Sequence, residues 1–291
     1  MAGKSNLDLY YNSIRAFFDT YPIKAFLPKT LIDLLNKYKG AWGIPLRKKA
    51  QSIIEFLEKK GDVHPSLFYD ENNHIKVIYS WKNSGDLTII QGLKAKSYYT
   101  HYTAMFLHQL SLQIPKVYYL NFEHANPKEV ATITLTQENI DTAFSKPQRR
   151  PKHSFTFNSN RIFILNGKYT ARLGVIKRVS ENDNYEYTDL ERTLIDIAIR
   201  PVYSGGVFEV LEAYKNAKEN MDVKKLYTYL KELDFIYPYN QIIGFYLDKA
   251  GYPQNNLELF EQNINLKFYL TYDIRNKDYS ERWHLYFPKG L

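Results

Sequence analysis

Two apolar stretches joined by an Arg-Pro pair and a Gly-Gly pair constrain the fold more than any other part of the sequence. In the first stretch the apolar residues recur at helical spacing: Leu190, Leu194, Ile197 and Ala198. Arg200-Pro201 ends this run, and Gly205-Gly206 allows a sharp reversal because glycine tolerates conformations that other residues avoid. A second helical pattern follows over residues 207–219. The sequence therefore predicts two helices packed against each other.

The polar residues of this segment have two open interpretations. Thr188 and Glu191 have the spacing of a capping box, which would satisfy free N–H groups at the helix start. Arg192 and Asp196 are four residues apart and share one helix face, and Arg200 falls in the last turn, where its charge suits the helix dipole. We interpret Thr188, Glu191 and the two glycines as a structural motif. Arg192, Asp196 and Arg200 are candidates for a functional surface.

The charge of the chain is unevenly distributed. The net charge is +8, and residues 1–96 and 97–180 contribute +6 and +7, whereas residues 181–291 contribute −5. A cationic front part suggests an anionic partner such as nucleic acid, although a solvated basic surface remains an alternative. The absence of cysteine excludes disulfides and thiolate metal sites, and makes a reducing cytoplasm the expected location. The sequence contains no run of about eighteen apolar residues, so it predicts no membrane-spanning helix.

The first 96 residues predict three helices followed by a hairpin. Apolar residues recur at helical spacing over residues 8–19, 28–38 and 45–60. The last two of these segments begin with proline, which is favoured in the first turn of a helix. Residues 63–69 and 74–80 predict two strands joined by a turn. This order is that of a winged helix-turn-helix, whose third helix would enter the major groove of DNA.

Basic residues at the start of the third helix are candidates for DNA contact. Arg47, Lys48 and Lys49 would lie where the helix dipole disfavours positive charge, so phosphate contact would explain them better than fold stability. A solvated basic helix end is the open alternative. The predicted phosphate contacts are Lys29, Arg47, Lys48, Lys49 and Lys76, and the predicted base contacts are Gln51 and Ser52.

The rest of the chain predicts a second domain, residues 97–291, which is rich in strands over 97–180 and helical over 181–265. The predicted helices are residues 100–110, 189–200, 207–219, 222–233, 240–250 and 257–263. The predicted strands are KVYYL, ATITL, SFTFN, RIFIL, ARLGVIKRV and LKFYLTYDI. His101 and His108 are seven residues apart, which does not suit a metal pair, so both are expected to be structural. The basic loop 145–153, with Lys146, Arg149, Arg150 and Lys152, is either an exposed turn or a nucleic-acid contact. The expected fold class is α+β.

Three stretches of the chain resemble the AbiEi family of bacterial antitoxins. They are YYTHYTAMFLHQL at 98–110, where Gln109 replaces a usual glycine, ARLGV at 171–175, and the segment from Asp189 to Gly206. The resemblance covers about residues 97–250, and the N-terminal 96 residues match only in organisation.

The resemblance implies a type IV antitoxin with a role in abortive phage infection. An N-terminal winged helix would bind operator DNA and repress its own operon, and a C-terminal domain would counter a cognate nucleotidyltransferase-type toxin without a stable complex. The family implies no catalytic residues, cofactor or metal. A dimer that forms on a palindromic operator is an open alternative to a monomer.

Two further functions remain open. A direct toxin-binding module would use the acidic last third of the chain against a basic partner. A metal-dependent nuclease would need clustered carboxylates, and Asp189, Glu191 and Asp196 are the candidates, although no strand has a convincing acidic residue followed by lysine.

Overall fold

The computed structural model describes residues 7–124, 134–148, 151 and 153–291. The fold is mixed α+β, which confirms the predicted class. The helices of the described residues are Tyr11–Thr20 (α1), Pro28–Tyr38 (α2), Ala50–Lys60 (α3), Asp86–Gln91 (α4), His101–Leu107 (α5), Gln137–Phe144 (α6), Leu190–Ile199 (α7), Val207–Asn216 (α8), Val223–Leu233 (α9), Tyr239–Lys249 (α10) and Gln254–Leu257 (α11).

The strands are mostly short. They are Ala25–Phe26 (β1), Val63–Asp70 (β2), Ile75–Trp81 (β3), Tyr98–Tyr99 (β4), Val117–Glu123 (β5), Ser154–Phe157 (β6), Asn160–Gly167 (β7), Val175–Val179 (β8), Asn184–Thr188 (β9), Phe268–Tyr269 (β10), Lys277–Ser280 (β11) and Leu285–Pro288 (β12).

The chain forms two compact units. Counting only the described residues, the first comprises those up to Ser97 together with His153–Ile162 and Lys177–Glu186. The second comprises those of Tyr98–Lys152, Phe163–Ile176 and Tyr187–Leu291. The sequence placed its domain boundary between residues 96 and 97. The two later segments of the first unit have no counterpart in that prediction. Three strands, β7, β8 and β9, run through positions where the chain passes from one unit to the other.

In the first unit the four helices α1 to α4 are combined with an antiparallel sheet. The long β2–β3 hairpin has the register Val63↔Trp81 to Tyr69↔Ile75, and β1 pairs with β3 through Ala25↔Ser80 and Phe26↔Tyr79. On its other side β2 pairs with β6. The core between the helices and the sheet is aromatic, and Phe18 stacks on Trp81 with ring centroids 4.8 Å apart. The hairpin predicted from alternating residues is therefore present.

The third helix begins later than the sequence predicted. Pro45 does not open it, because the chain makes a turn over residues 45–48 and α3 starts only at Ala50. Gly61 ends the helix at φ 76°, as expected for a C-terminal glycine. Arg47, Lys48 and Lys49 therefore precede the helix instead of occupying its first turn.

The second unit contains two sheet regions and most of the helices. In the first region the strand order is β5-β4-β9, with β4 antiparallel to β5 and parallel to β9. In the second region β12 lies between β10 and β11. Helices α7, α8, α9 and α10 share one apolar core with strands β10 and β12. Gly244 of α10 is required by this packing, because a Cβ atom there would lie 2.1 Å from Cζ3 of Trp283.

Several predicted elements of the second unit are shorter than expected or displaced. Residues 171–174 form a turn, and only the later part of ARLGVIKRV is a strand. The helix predicted over 257–263 is absent, and α11 ends at Leu257. LKFYLTYDI contributes only the two residues of β10. The predicted strand ATITL includes residues 131–133, which lie outside the described residues.

Within the described ranges, the helices are all too short or too polar to cross a membrane.

Candidate functional site

The N-terminus of α7 organises a polar network in the second unit. The side chain of Asp189 caps the helix by accepting a hydrogen bond from the backbone N–H of Arg192 at 2.9 Å. The predicted capping box of Thr188 and Glu191 is therefore wrong, because the helix starts one residue later than that motif requires. Both aspartate and threonine are favoured as caps, so sequence alone could not choose between adjacent candidates.

Thr188 and Glu191 have other structural roles. The Thr188 hydroxyl lies 2.8 Å from the hydroxyl of Thr193. The Glu191 carboxylate accepts hydrogen bonds from the backbone N–H of Asp222 at 3.0 Å and from Nζ of Lys225 at 2.7 Å. Burial lowers the pKa of Lys225, but its bonds to Glu191 and Asp189 outweigh this effect and the net pKa is raised. Glu191 therefore connects the start of α7 to the start of α9.

Arg192 and Asp196 form a buried ion pair. Nε of Arg192 donates to Oδ1 of Asp196 at 2.9 Å, and the two side chains are only 7% and 11% exposed. Nη1 of Arg192 donates to the carbonyl of Leu173 at 2.9 Å, and the Thr100 hydroxyl donates to Oδ2 of Asp196 at 2.7 Å. Burial lowers the pKa of Arg192, whereas attraction to Asp196 raises it, and the net pKa is raised. The pairing predicted from the four-residue spacing is confirmed.

The burial of this pair corrects the predicted functional surface. Arg192 is only 6% exposed, so its guanidinium is an internal connector and not a surface group. Arg200 is exposed and lies over the ring of Tyr203, 6.0 Å from its centroid. Only Arg200 of the three predicted surface residues is freely accessible.

A further carboxylate of the network, that of Glu123, is held by a strained turn. Ala171 and Arg172 have φ angles of 50° and 59°, in the left-handed region. This conformation directs the backbone N–H groups of Thr170 and Arg172 at Oε2 of Glu123, at 2.9 and 3.1 Å. The hydroxyls of Thr170 and Tyr98 also donate to this carboxylate. Burial raises the pKa of Glu123, but these hydrogen bonds outweigh it and the pKa is lowered.

Sequence reasoning missed Glu123 because its partners lie far away in the chain. Thr170 follows it by 47 residues, and no local spacing links the two. Gly174 completes the turn at φ 69°, and a Cβ there would lie 2.7 Å from Cβ of Arg192. The ARLGV stretch therefore packs directly on the start of α7.

His101 is buried beside the ion pair. Its ring lies 5.3 Å from that of Tyr203 and 6.1 Å from that of Tyr119, and its Nδ1 has no hydrogen-bond partner in the described part of the chain. Burial lowers the pKa of His101 to about 4, and Arg200 and Arg192 add to this effect while Asp196 opposes it. His101 is therefore a neutral packing group at neutral pH.

The three stretches that carry the family resemblance meet in this network. The first contributes Thr100, and also His108, whose Nε2 lies 2.8 Å from the carbonyl of Thr188. The second contributes the carbonyl of Leu173, and the third contributes the buried ion pair. Every carboxylate of the network accepts hydrogen bonds, and these bonds hold the three stretches together.

Gly205 and Gly206 make the reversal that the sequence predicted. Their φ angles are 82° and 101°, which residues with side chains rarely adopt. A Cβ at Gly205 would also lie 2.7 Å from Cγ of Glu209. The two glycines thus allow α8 to begin immediately after the turn that follows α7.

The C-terminus of α5 shows why glycine suits position 109, where this chain has glutamine. Gln109 has φ 59°, and the backbone N–H of Leu110 donates to the carbonyl of Met105, which is the hydrogen bond of a Schellman motif. Glycine adopts this left-handed conformation without the steric cost that glutamine bears. We expect Gln109→Gly to raise the free energy of unfolding by up to about 1 kcal/mol, the relief of strain being partly offset by a more flexible unfolded chain.

Urea unfolding of the two proteins would measure this difference. Gln113→Gly is the matched control, since the φ angle of Gln113 is not positive and glycine there gains nothing. A Gln109→Gly protein less stable than the parent would contradict the expectation.

The predicted DNA contacts lie in the first unit. Arg47 and Lys49 are exposed on the turn before α3, and Lys48 is partly exposed. The buried ammonium of Lys39 holds this turn by donating to the carbonyl of Lys48 at 3.0 Å. The turn is therefore anchored at its backbone while the basic side chains remain available.

The other predicted contacts differ in accessibility. Lys29 and Gln51 are exposed at the start of α2 and α3, and Ser52 is partly exposed. The Nζ of Lys76 is already engaged, since it donates to the carbonyl of Leu93 at 3.2 Å and lies 5.2 Å from the ring centroid of Phe155. Lys76 is thus the weakest of these predictions. Of the basic loop, Arg149, Arg150 and Lys152 lie outside the described residues.

Comparison with known proteins gives a likeness in fold. No family model and no curated protein matches the chain. The structure is similar to the crystal structure of the RV2827C protein from Mycobacterium tuberculosis, with a TM-score of 0.54 and 12% sequence identity over 96% of this chain and 91% of that chain. This similarity concerns the fold alone.

Proposed function

We propose that this protein is an antitoxin that represses its own operon by binding promoter DNA and counters a nucleotidyltransferase-type toxin. The observation that carries the DNA-binding part is the order of elements in the first unit. Helix α1, strand β1, helices α2 and α3 and the β2–β3 hairpin follow one another, and β1 pairs with β3. This order is the one expected of a winged helix-turn-helix, whose third helix enters the major groove.

The side chains around α3 support this role. Gln51 and Glu55 are exposed on one side of the helix, and its buried residues lie on the other: Ala50, Ile53, Ile54, Phe56 and Leu57. Amide and carboxylate groups on an exposed helix face can read base edges, and the basic turn before the helix suits phosphate contact. The helix thus offers both kinds of group that a DNA reader needs.

The antitoxin part rests on the resemblance and on the network of the second unit. The three stretches that resemble the AbiEi family meet at the Arg192–Asp196 ion pair, which gives their spacing a common structural reason. Co-purification with the product of the neighbouring gene distinguishes this proposal from a direct toxin-binding module, because only the module would form a stable complex. A nuclease has less support, since the described residues contain no group of three or more His, Asp or Glu placed to hold a metal ion.

Replacing Arg47, Lys48 and Lys49 together with glutamine is expected to weaken binding to all DNA duplexes about equally. The slope of log K against log salt should become shallower by roughly one for each phosphate that the protein no longer neutralises, because fewer counterions are released. The measurement is fluorescence anisotropy with the DNA upstream of the gene and a scrambled duplex, at several salt concentrations.

The matched control is the triple glutamine variant of Lys116, Lys215 and Lys224, which removes the same charge from exposed positions of the second unit. If both variants change the slope equally, general charge and not the turn before α3 governs binding. Equal affinity of the parent protein for both duplexes would overturn the repressor proposal.

A further inference from the structure

A cleft in the second unit lies apart from the Arg192 network. It has a volume of about 340 Å³ and is formed by the end of α9, the loop that follows it, the start of α10 and residues 259–266. This volume is at the lower end of the range for small-molecule sites in proteins, so the cleft can enclose one compact ligand.

The walls of the cleft are aromatic and fixed in place. Tyr227, Phe235, Tyr237 and Tyr239 line it. The ring of Tyr239 meets that of Phe235 edge to face at 5.2 Å and that of Tyr237 at 6.0 Å, and Tyr237 also stacks on the buried ring of Phe268. Because each ring packs against another, the cleft presents preformed apolar surface to a ligand.

The same cleft holds hydrogen-bonding groups that the fold does not use. Among the described residues, the carboxamides of Asn263 and Asn265 and the hydroxyls of Tyr237 and Tyr239 have no hydrogen-bond partner. The neighbouring Asn240 differs, since its Nδ2 donates to the carbonyls of Phe260 and Gln262 at 3.1 and 2.9 Å. The amide of Asn240 thus holds the wall of the cleft together, whereas the carboxamides of Asn263 and Asn265 remain available to a ligand.

Two charged side chains of opposite sign also line the cleft. Lys231 and Asp234 are both exposed, and no ion pair engages either of them in the described part of the chain. Asp234 is itself in the left-handed conformation, at φ 41°. The loop after α9 is anchored by Lys168, which donates to the carbonyls of Leu233 and Asp234 at 3.0 and 2.8 Å. The ammonium of Lys231 is exposed and has no ion-pair partner among the described residues, so it is available for a ligand.

We propose that this cleft binds the base and sugar of one nucleotide. Aromatic rings stack on nucleobases, and carboxamides match the paired donors and acceptors of a base edge. Lys231 suits a phosphate group and Asp234 suits a sugar hydroxyl. This site is independent of the DNA-binding function proposed for the first unit.

The test is isothermal titration calorimetry of the full-length protein with the four ribonucleoside 5′-monophosphates. Saturable binding of at least one of them is expected. Tyr239→Phe removes only a hydroxyl and keeps the packed ring, and Asn265→Ala removes one exposed carboxamide. Each should weaken the binding by about three- to tenfold if its group bonds the ligand.

Two matched controls change the same chemistry outside the cleft. Tyr169→Phe removes the hydroxyl of an exposed tyrosine and Asn255→Ala removes an exposed carboxamide, and both should leave affinity unchanged. No heat of binding with any of the four nucleotides would overturn the proposal, as would an affinity that Tyr239→Phe and Asn265→Ala leave unaltered.

The nucleotide has two sources, a free molecule or one residue of single-stranded RNA. Titration with a trinucleotide that contains the preferred base distinguishes them. Tighter binding of the trinucleotide supports an RNA strand as the source, and equal or weaker binding supports a free nucleotide.

Discussion

Replacing Arg192 with methionine is expected to lower the free energy of unfolding by about 3–5 kcal/mol. The substitution removes the partner of Asp196 and leaves that carboxylate nearly buried, since its side chain is 11% exposed. It also leaves the carbonyl of Leu173 without its donor. Loss of one member of a buried pair costs much more than loss of an exposed pair, because the remaining charge is not well solvated. Urea unfolding followed by circular dichroism measures the change.

Two further variants test whether the unpaired buried charge causes the loss of stability. In Arg192→Met/Asp196→Leu the unpaired charge is also removed, so part of the lost stability should return. Lys215→Met breaks the exposed pair with Glu212, whose side chains are 44% and 58% exposed, and should change stability little. If Arg192→Met is no more destabilising than Lys215→Met, the network does not hold the second unit together.

Lowering the pH from 6.5 to 4 is expected to reduce the free energy of unfolding by about 3 kcal/mol through His101 alone. Burial lowers the pKa of His101 to about 4 in the folded protein, whereas an unfolded histidine titrates near 6.5. Between these values the unfolded chain binds a proton that the folded protein does not, so protonation favours unfolding. The contribution is fully present above pH 6.5 and is lost as the pH falls toward 4.

His101→Asn should flatten this part of the stability profile, because asparagine does not titrate and tolerates the φ of 53° at this position. His64→Asn is the control, since His64 is exposed. The lowered pKa of Glu123 also makes acid destabilising, as its contribution is lost when the pH falls through its folded value. An identical slope in the parent and His101→Asn between pH 6.5 and 4 would contradict the assignment.

The sequence predicts those parts of the network that depend on local spacing. Arg192 and Asp196 pair because residues four apart share a helix face, and Gly205 and Gly206 turn the chain because only glycine adopts their φ angles easily. Glu123 and Lys225 could not be found in this way. Each forms hydrogen bonds in the network with residues that are tens of positions away in the chain, and only the fold brings them together.

The same limit applies to secondary structure. Helices with a regular apolar face, such as α2 and α9, start and end within about a residue of their predicted positions. Strands β4 and β10 have only two residues each, which is too short for an alternating pattern to appear. The predicted start of α3 at Pro45 was wrong because proline is favoured both in a first helical turn and in an ordinary turn.

The first unit is assembled from three separate lengths of chain, and this limits how the molecule can be divided. A fragment that stops at residue 96 lacks β6, which pairs with β2, and the parts of β8 and β9 that belong to the same unit. A gene truncated there would encode an incomplete first unit. The two units therefore cannot be exchanged by a single recombination event, and they are expected to be inherited together.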